Sequence, residues 1–226
     1  MSSFASYDFA KYFDQLGKAT GQTLVMVGVS VLFSLIIGIP LGILLAVTDK
    51  QTGIKKNPLV YSIFSFIINI LRAIPFVILA ILLFPFTRAI VKTAIGTKAS
   101  IVPLTIAAVP FVARVIESAI KDVDEGVIQA ARAMGSTNMQ IIFKVMVPEA
   151  LPGIINGITL TIINLIGYSA MAGTFGGGGL GDVAIRYGYQ RYQVEYMLGC
   201  VVIILFFVVV IQFLGTKIAN AIMKSR

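Results

Sequence analysis

Histidine is absent from this 226-residue sequence, and there is one cysteine, Cys200. Lack of histidine removes the commonest general acid–base group and most zinc sites. A lone cysteine builds no disulfide framework, and Cys200, at the start of an apolar run, leaves the redox compartment unread. Charge is scarce too, at 12% of residues. No Asp or Glu is expected in the core of any apolar run, which argues against a channel or ion-coupled carrier. An intramembrane enzyme would need a nucleophile with a base, and no carboxylate pair is expected at membrane depth. No Gly-x-x-x-x-Gly-Lys-Ser/Thr loop occurs, so the chain does not hydrolyse nucleotide by that route.

What is abundant is apolar. Hydrophobic residues make up 58% of the chain, and the mean hydropathy of +0.94 is outside the soluble range. The expectation is an all-α polytopic membrane protein with membrane lipid as its surroundings. The net charge of +8 fits Lys and Arg at span ends, and no nucleic acid is expected as a partner.

Residues 1–20 interleave Phe4, Tyr7, Phe9, Tyr12 and Phe13 with charge, and read as an interfacial segment rather than a cleavable signal. Five spans are expected, at about 23–47, 73–87, 100–120, 151–171 and 197–214, in one transmembrane domain covering 1–226. Gly38 and Gly42 in the first span, and Gly153 and Gly157 in the fourth, are spaced for close helix packing. Residues 59–71 read as an interfacial or bundle-packed segment. Arg72 is then expected near the cytoplasmic boundary, facing protein or snorkelling to head groups.

One polar-containing stretch between the spans still reads as regular structure, from 124 to 148. Val127, Ala130, Ala131 and Met134 share a helical face. Gly135 is placed to stop that helix in the left-handed conformation. Thr137 and Gln140 predict a capping-box start for a second helix, and Pro148 is expected where the chain turns into the next span. A short helix with a small-residue face, held between spans, suits being gripped from outside the membrane.

Spacing across this stretch resembles the cytoplasmic coupling motif of ABC-importer permeases: Glu-Ala-Ala, three residues, Gly, nine residues, Ile, one residue, Leu-Pro. Ala130, Ala131, Gly135 and Pro148 match it outright, while Gln129 replaces the Glu and Val145 and Val147 replace Ile and Leu. Any ion pair made by the family's acid is lost here, but the docking face is kept. Arg72-Ala-Ile-Pro75 resembles the Arg-x-x-Pro stretch of amino-acid importer permeases. The fourth loop, with Tyr168-Ser-Ala-Met-Ala-Gly173, the glycines 176–179 and Ile185-Arg-Tyr-Gly-Tyr189, is similar to the methionine-importer permeases.

The resemblance covers essentially the whole chain. It implies a type I ABC importer permease fold, and a non-catalytic subunit that moves methionine inward by alternating access, with D-methionine as a candidate substrate beside L-methionine. Another amino acid or small metabolite is the alternative substrate, and an ion-coupled carrier the alternative class. Implied partners are a second copy of the chain, a cytoplasmic ATPase dimer that binds the ATP, and an extracytoplasmic methionine-binding lipoprotein. No cofactor of its own is expected. Gln129, Ala130, Ala131, Arg132, Met134 and Gly135 are the expected ATPase-docking residues, and a bulky acid at Ala131 is expected to uncouple transport without preventing insertion. Tyr168, Ser169 and Met171 are candidate borders of the pathway. No catalytic or metal-binding residues are assigned. The implied location is the inner membrane of a prokaryote, N-terminus outside and C-terminus cytoplasmic. Lys and Arg number nine in the segments assigned to the cytoplasm and seven in those outside, in agreement with that orientation.

Overall fold

Unpaired backbone amides cost several kcal/mol in lipid, so long apolar segments have little choice but helix. The computed structural model describes residues 9–224, and no strand occurs among them. In chain order the helices are α1 Phe9–Thr48, α2 Pro58–Ala73, α3 Phe76–Leu82, α4 Phe84–Val91, α5 Thr97–Lys121 and α6 Glu125–Ala133. After them come α7 Asn138–Gln140, α8 Val147–Ala172, α9 Gly179–Val183 and α10 Val194–Lys224. Two single π-helical stretches, Ile141–Met146 and Ala184–Tyr189, precede α8 and follow α9.

Among the described residues, four helical stretches are long and apolar enough to cross a membrane, or five if α2 and α3 form one broken span. Their limits differ from expectation in instructive ways. Residues 9–22 continue the first span's helix, and residues 1–8 of the expected interfacial segment lie outside the described residues. The last helix continues well past residue 214. The 73–87 segment is not one helix: it holds α3 and the start of α4, separated at Leu83, and α2 and α3 meet at a 103° bend where it begins. Pro75 disfavours the helical region for the residue before it, and Ile74 is accordingly extended, with φ −77° and ψ 123°.

The chain divides into two compact units. The first takes residues up to Ser30 with Phe76–Leu104 and Asn164–Val209; the second takes Val31–Pro75, Thr105–Ile163 and the chain from Val210 onward.

In the second unit, α5 is the common neighbour. A Cβ on Gly38 would lie 2.7 Å from the Val112 side chain, and one on Gly42 would lie 2.6 Å from the Ala113 carbonyl oxygen. From α8, Gly153 approaches Ala119 and Gly157 approaches Val115, where an added Cβ would overlap Cγ1. Both glycine pairs thus perform the close packing their spacing suggested. Helix α2 runs antiparallel along α5, with Tyr61 beside Glu117, Ser65 and Asn69 beside Arg114, and Arg72 5.9 Å from the Phe111 ring. Arg72 is therefore level with Phe111, about 15 Å along α5 from Lys121 at 1.5 Å per residue, and not at that end of the helix.

In the first unit, the glycine run ends α8 and folds back. Gly176, Gly178 and Gly179 all have positive φ, between 78° and 80°. Gly173 lies against the Gly181–Asp182 backbone, which an added Cβ would strike, and a Cβ on Gly181 would strike the Ala170 carbonyl. Side chains of α1 hold the turn: Gln22 Oε1 accepts from Gly179 N (2.8 Å) and Thr23 Oγ1 from Leu180 N (2.9 Å). Leu16, Ala19, Leu180, Val183, Tyr196 and Cys200 form the core beside it. Tyr187 stacks on Tyr196 at 5.0 Å against this core, whereas Tyr189 and Tyr192 are exposed.

Glycine contact with α5 makes a direct prediction. Gly42→Ala should destabilise the detergent-purified protein by about 1–3 kcal/mol, the usual cost of overpacking. Gly28→Ala, where nothing lies within 4 Å of the new methyl group, should not. Thermal unfolding of the two variants compares them.

Candidate coupling segment and pathway residues

Helix α6 begins on Asp124, whose Oδ1 accepts from Val127 N at 3.3 Å, and Glu125 adds an acid to the positive first turn. It ends as glycine requires. Gly135 has φ +79°, its N–H reaches Arg132 O (2.9 Å), and Ser136 N reaches Ala131 O (3.1 Å). This pair of bonds is the Schellman arrangement and caps two carbonyls of the last turn. Two residues later Thr137 and Gln140 complete the capping box: Thr137 N donates to Gln140 Oε1 at 2.8 Å, and Gln140 N to Thr137 Oγ1 at 3.4 Å.

Beyond that point the chain does not turn at Pro148. It passes from α7 through the π-helical stretch into α8 as one helical run, with Val147 N bonded to Ile142 O five residues back. Proline offers no N–H for the usual bond to the fourth preceding carbonyl, and the wider π register lies at that position.

The faces of α6 part cleanly. Ala131 is 2% exposed and packs with the half-buried Ile128 into a core of Ile141, Ile142 and Met146, the end of α1 (Ala46, Val47), and Ile116 and Ile120 of α5. Val127 and Met134, at 42% and 80% exposure, form an open apolar stripe with Ala130. Gln129, Arg132 and Gly135 are also exposed. The expected docking set is thus corrected at Ala131. It is small because it is buried against its own chain, so a partner cannot reach it.

A chain of charges that the sequence reading did not find fastens this region. Lys121 Nζ lies 3.1 Å from Asp49 and 3.7 Å from Glu117, and Glu117 lies 2.6 Å from Arg114 Nη1. Tyr61 donates to Glu117 Oε1 (3.0 Å), while Arg114 Nη2 donates to Asn69 (2.8 Å) and to the Ser65 hydroxyl. Glu117 is only 4% exposed and sits one turn inside α5, so an acid does enter an apolar run. It is tolerated because its carboxylate meets two cations, Arg114 and Lys121, and the Tyr61 hydroxyl. Arg114, Glu117 and Lys121 are spaced by three and four residues, and Tyr61, Ser65 and Asn69 by four. Those facing rows were the available signal.

Burial pushes the Asp49 carboxyl up, but the Thr52 and Gln51 amides and the Lys121 ammonium outweigh it and hold its pKa at about 2. Beside this loop, a cavity of about 280 Å³ lies between residues 51–56 and α6, with Lys56, Lys121, Gln129 and Arg132 on its walls.

The candidate pathway residues fall in the first unit and the docking residues in the second. Tyr168 stacks on Phe76 at 4.8 Å and 4°, and Phe76 and Phe84 both meet Phe175. Met171 is 46% exposed. Ser169 is buried and donates to Ile166 O of its own helix at 2.7 Å, so its hydroxyl does not line an open route.

Two outcomes follow. Ala131→Glu should lose about 3 kcal/mol or more of stability by placing a carboxylate in the core, whereas Met134→Glu should stay within about 0.5 kcal/mol; unfolding in detergent reads both. Asp49 is more acidic folded than unfolded, so its stabilisation is complete above about pH 4 and lost as pH falls toward about 2. Melting temperature measured across that window should fall in the wild type and lack this component in Asp49→Asn.

The family of binding-protein-dependent transport system inner membrane components matches residues 38–224. A probable D-methionine transport system permease protein of Vibrio cholerae is 48% identical over 214 residues, 95% of each chain. The D-methionine transport system permease protein of Escherichia coli K12 is 51% identical over 158 residues, 70% of this chain and 72% of that one. Among solved structures, a chain of the inward-facing MetNI methionine ABC transporter superposes with a TM-score of 0.90 at 45% identity, covering 96% of this chain and 99% of that chain. With the family matched over most of its length and a relative nearly half identical end to end, the chain belongs to the binding-protein-dependent transport system inner membrane components.

Proposed function

We propose that this chain is the membrane-spanning permease subunit of an ATP-driven methionine importer. The observation that carries the reading is α6: a short helix, stopped at both ends, whose inner face is anchored to its own core while its outer stripe stays open. The relatives named for D-methionine transport, and the likeness to a chain of the MetNI methionine ABC transporter, support the substrate.

In this reading two copies of the chain sit on a cytoplasmic ATPase dimer, which binds and hydrolyses the ATP; the permease itself is not catalytic. Each ATPase grips Val127, Ala130 and Met134, with Gln129, Arg132 and Gly135 at the edge of the contact. Substrate arrives from an extracytoplasmic methionine-binding lipoprotein. The coupling segment and C-terminus face the cytoplasm and the N-terminus lies outside. Tyr168 and Met171 border the route, with Phe76 stacked behind Tyr168. ATP binding does work only by favouring one permease state through α6, since a partner holding both states equally would shift nothing.

Uptake of labelled methionine tests this in cells lacking their own high-affinity importer, expressing the chain with its neighbouring ATPase and binding protein. Energy-dependent uptake blocked by L- or D-methionine, but not by glutamine or histidine, is expected. Transport of a different solute would discard methionine and keep the permease. Uptake that persists without the ATPase would reopen the carrier reading. Met134→Glu should abolish uptake and release the ATPase on purification while the permease remains in the membrane.

A further inference from the structure

The cavity beside α6 is cationic beyond what its neighbours neutralise. Lys56, Lys121 and Arg132 line it against one acid, Glu125, which accepts from Gln129 Nε2 at 3.4 Å. Lys121 is already held by Asp49 and Glu117, but neither Lys56 nor Arg132 forms an ion pair among the described residues. The residue that the coupling motif would make a second acid here is Gln129, so the excess charge is retained. Two residues after Lys56, α2 begins, its positive end capped by Asn57. From that end a single apolar stripe climbs the helix: Leu59, Ile63, Phe66, Ile67 and Ile70, each between 46% and 70% exposed. A cationic cavity with Lys56 on its wall, three residues before an exposed apolar stripe begins at Leu59, has the two-part chemistry of a lipid with an acidic head.

We propose that this cavity binds the phosphate head group of an anionic phospholipid, with an acyl chain laid along the outer stripe of α2. The site rests on the orientation proposed above, in which the 49–57 loop and α6 lie at the cytoplasmic leaflet, where basic pockets collect such lipids. A bound head group would join the α1–α2 loop to α6 through Lys56 and Arg132. Lipid charge would thereby bear on the element that meets the ATPase.

The experiment uses the purified permease–ATPase complex in phosphatidylcholine nanodiscs carrying a minority of phosphatidylglycerol. Lipid retained after extraction is counted by intact-complex mass spectrometry for the wild type, Lys56→Gln and Lys55→Gln. Lys55 is exposed and adjacent but does not line the cavity. Lys56→Gln should bind phosphatidylglycerol about five-fold more weakly, the effect of removing roughly 1 kcal/mol of attraction per cation, with phosphatidylcholine unchanged. Lys55→Gln should match the wild type. Equal loss in the two variants would mean diffuse surface attraction and would overturn the site. So would undiminished phosphatidylglycerol binding in Lys56→Gln, and if that variant also shed its ATPase, the cavity would belong to an acidic side chain of the partner. Lipid retention is read without any substrate, so failure of methionine uptake by the wild type is a separate result.

Discussion

Close approach to α5 is the constraint on which the second unit depends. Lipid tails give apolar helices no reason to prefer one another to the membrane, so association has to come from fit and from polar contacts. Gly38 and Gly42 bring α1 against α5 without side chains between them, and Gly153 and Gly157 do the same for α8. Polar contact is reserved for the remaining side, where Tyr61, Ser65 and Asn69 of α2 meet Arg114 and Glu117. With three neighbours fixed, the last turn of α5 is fixed too. Lys121 closes onto Asp49, and three residues later Asp124 opens α6.

That continuity gives the coupling segment its mechanical character. Helix α6 is not an appendage on a loop, because Ala131 and Ile128 are sunk into the same core as the ends of α1, α5 and the π-helical approach to α8. A force applied at Met134 reaches those helices through packed side chains, which deform little. The Schellman stop at Gly135 and the capping box at Thr137 make the reversal short enough for both arms to share one core. In the first unit a different device serves a similar end: the glycine turn after α8 is pinned to α1 by Gln22 and Thr23.

Local chemistry was legible in the sequence and long-range direction was not. Gly135, Thr137 with Gln140, and the two glycine pairs behave as read, because each depends on a backbone preference or on the absence of a side chain. Ala131 could not be oriented, since alanine suits both a partner's surface and its own core, and only the packing of Ile141 and Met146 decides. Pro148 looks like a turn in the sequence, since a π-helical register leaves no mark in residue spacing. Glu117, one acid near the end of an apolar run, looks like a boundary in the sequence; its role depends on Arg114, Lys121 and Tyr61 around it. Arg72 looks like an edge residue for the same reason, whereas antiparallel pairing of α2 with α5 sets it level with Phe111.

The central claim is that the open stripe of α6 faces the cytoplasm and is covered by the ATPase. A membrane-impermeant maleimide tests it on Met134→Cys, since the native Cys200 is fully buried. In right-side-out vesicles the new thiol should stay unlabelled, in inverted vesicles without the ATPase it should react, and adding the ATPase should protect it. Reaction from the outside, or labelling from the inside that the ATPase leaves unchanged, would contradict the account.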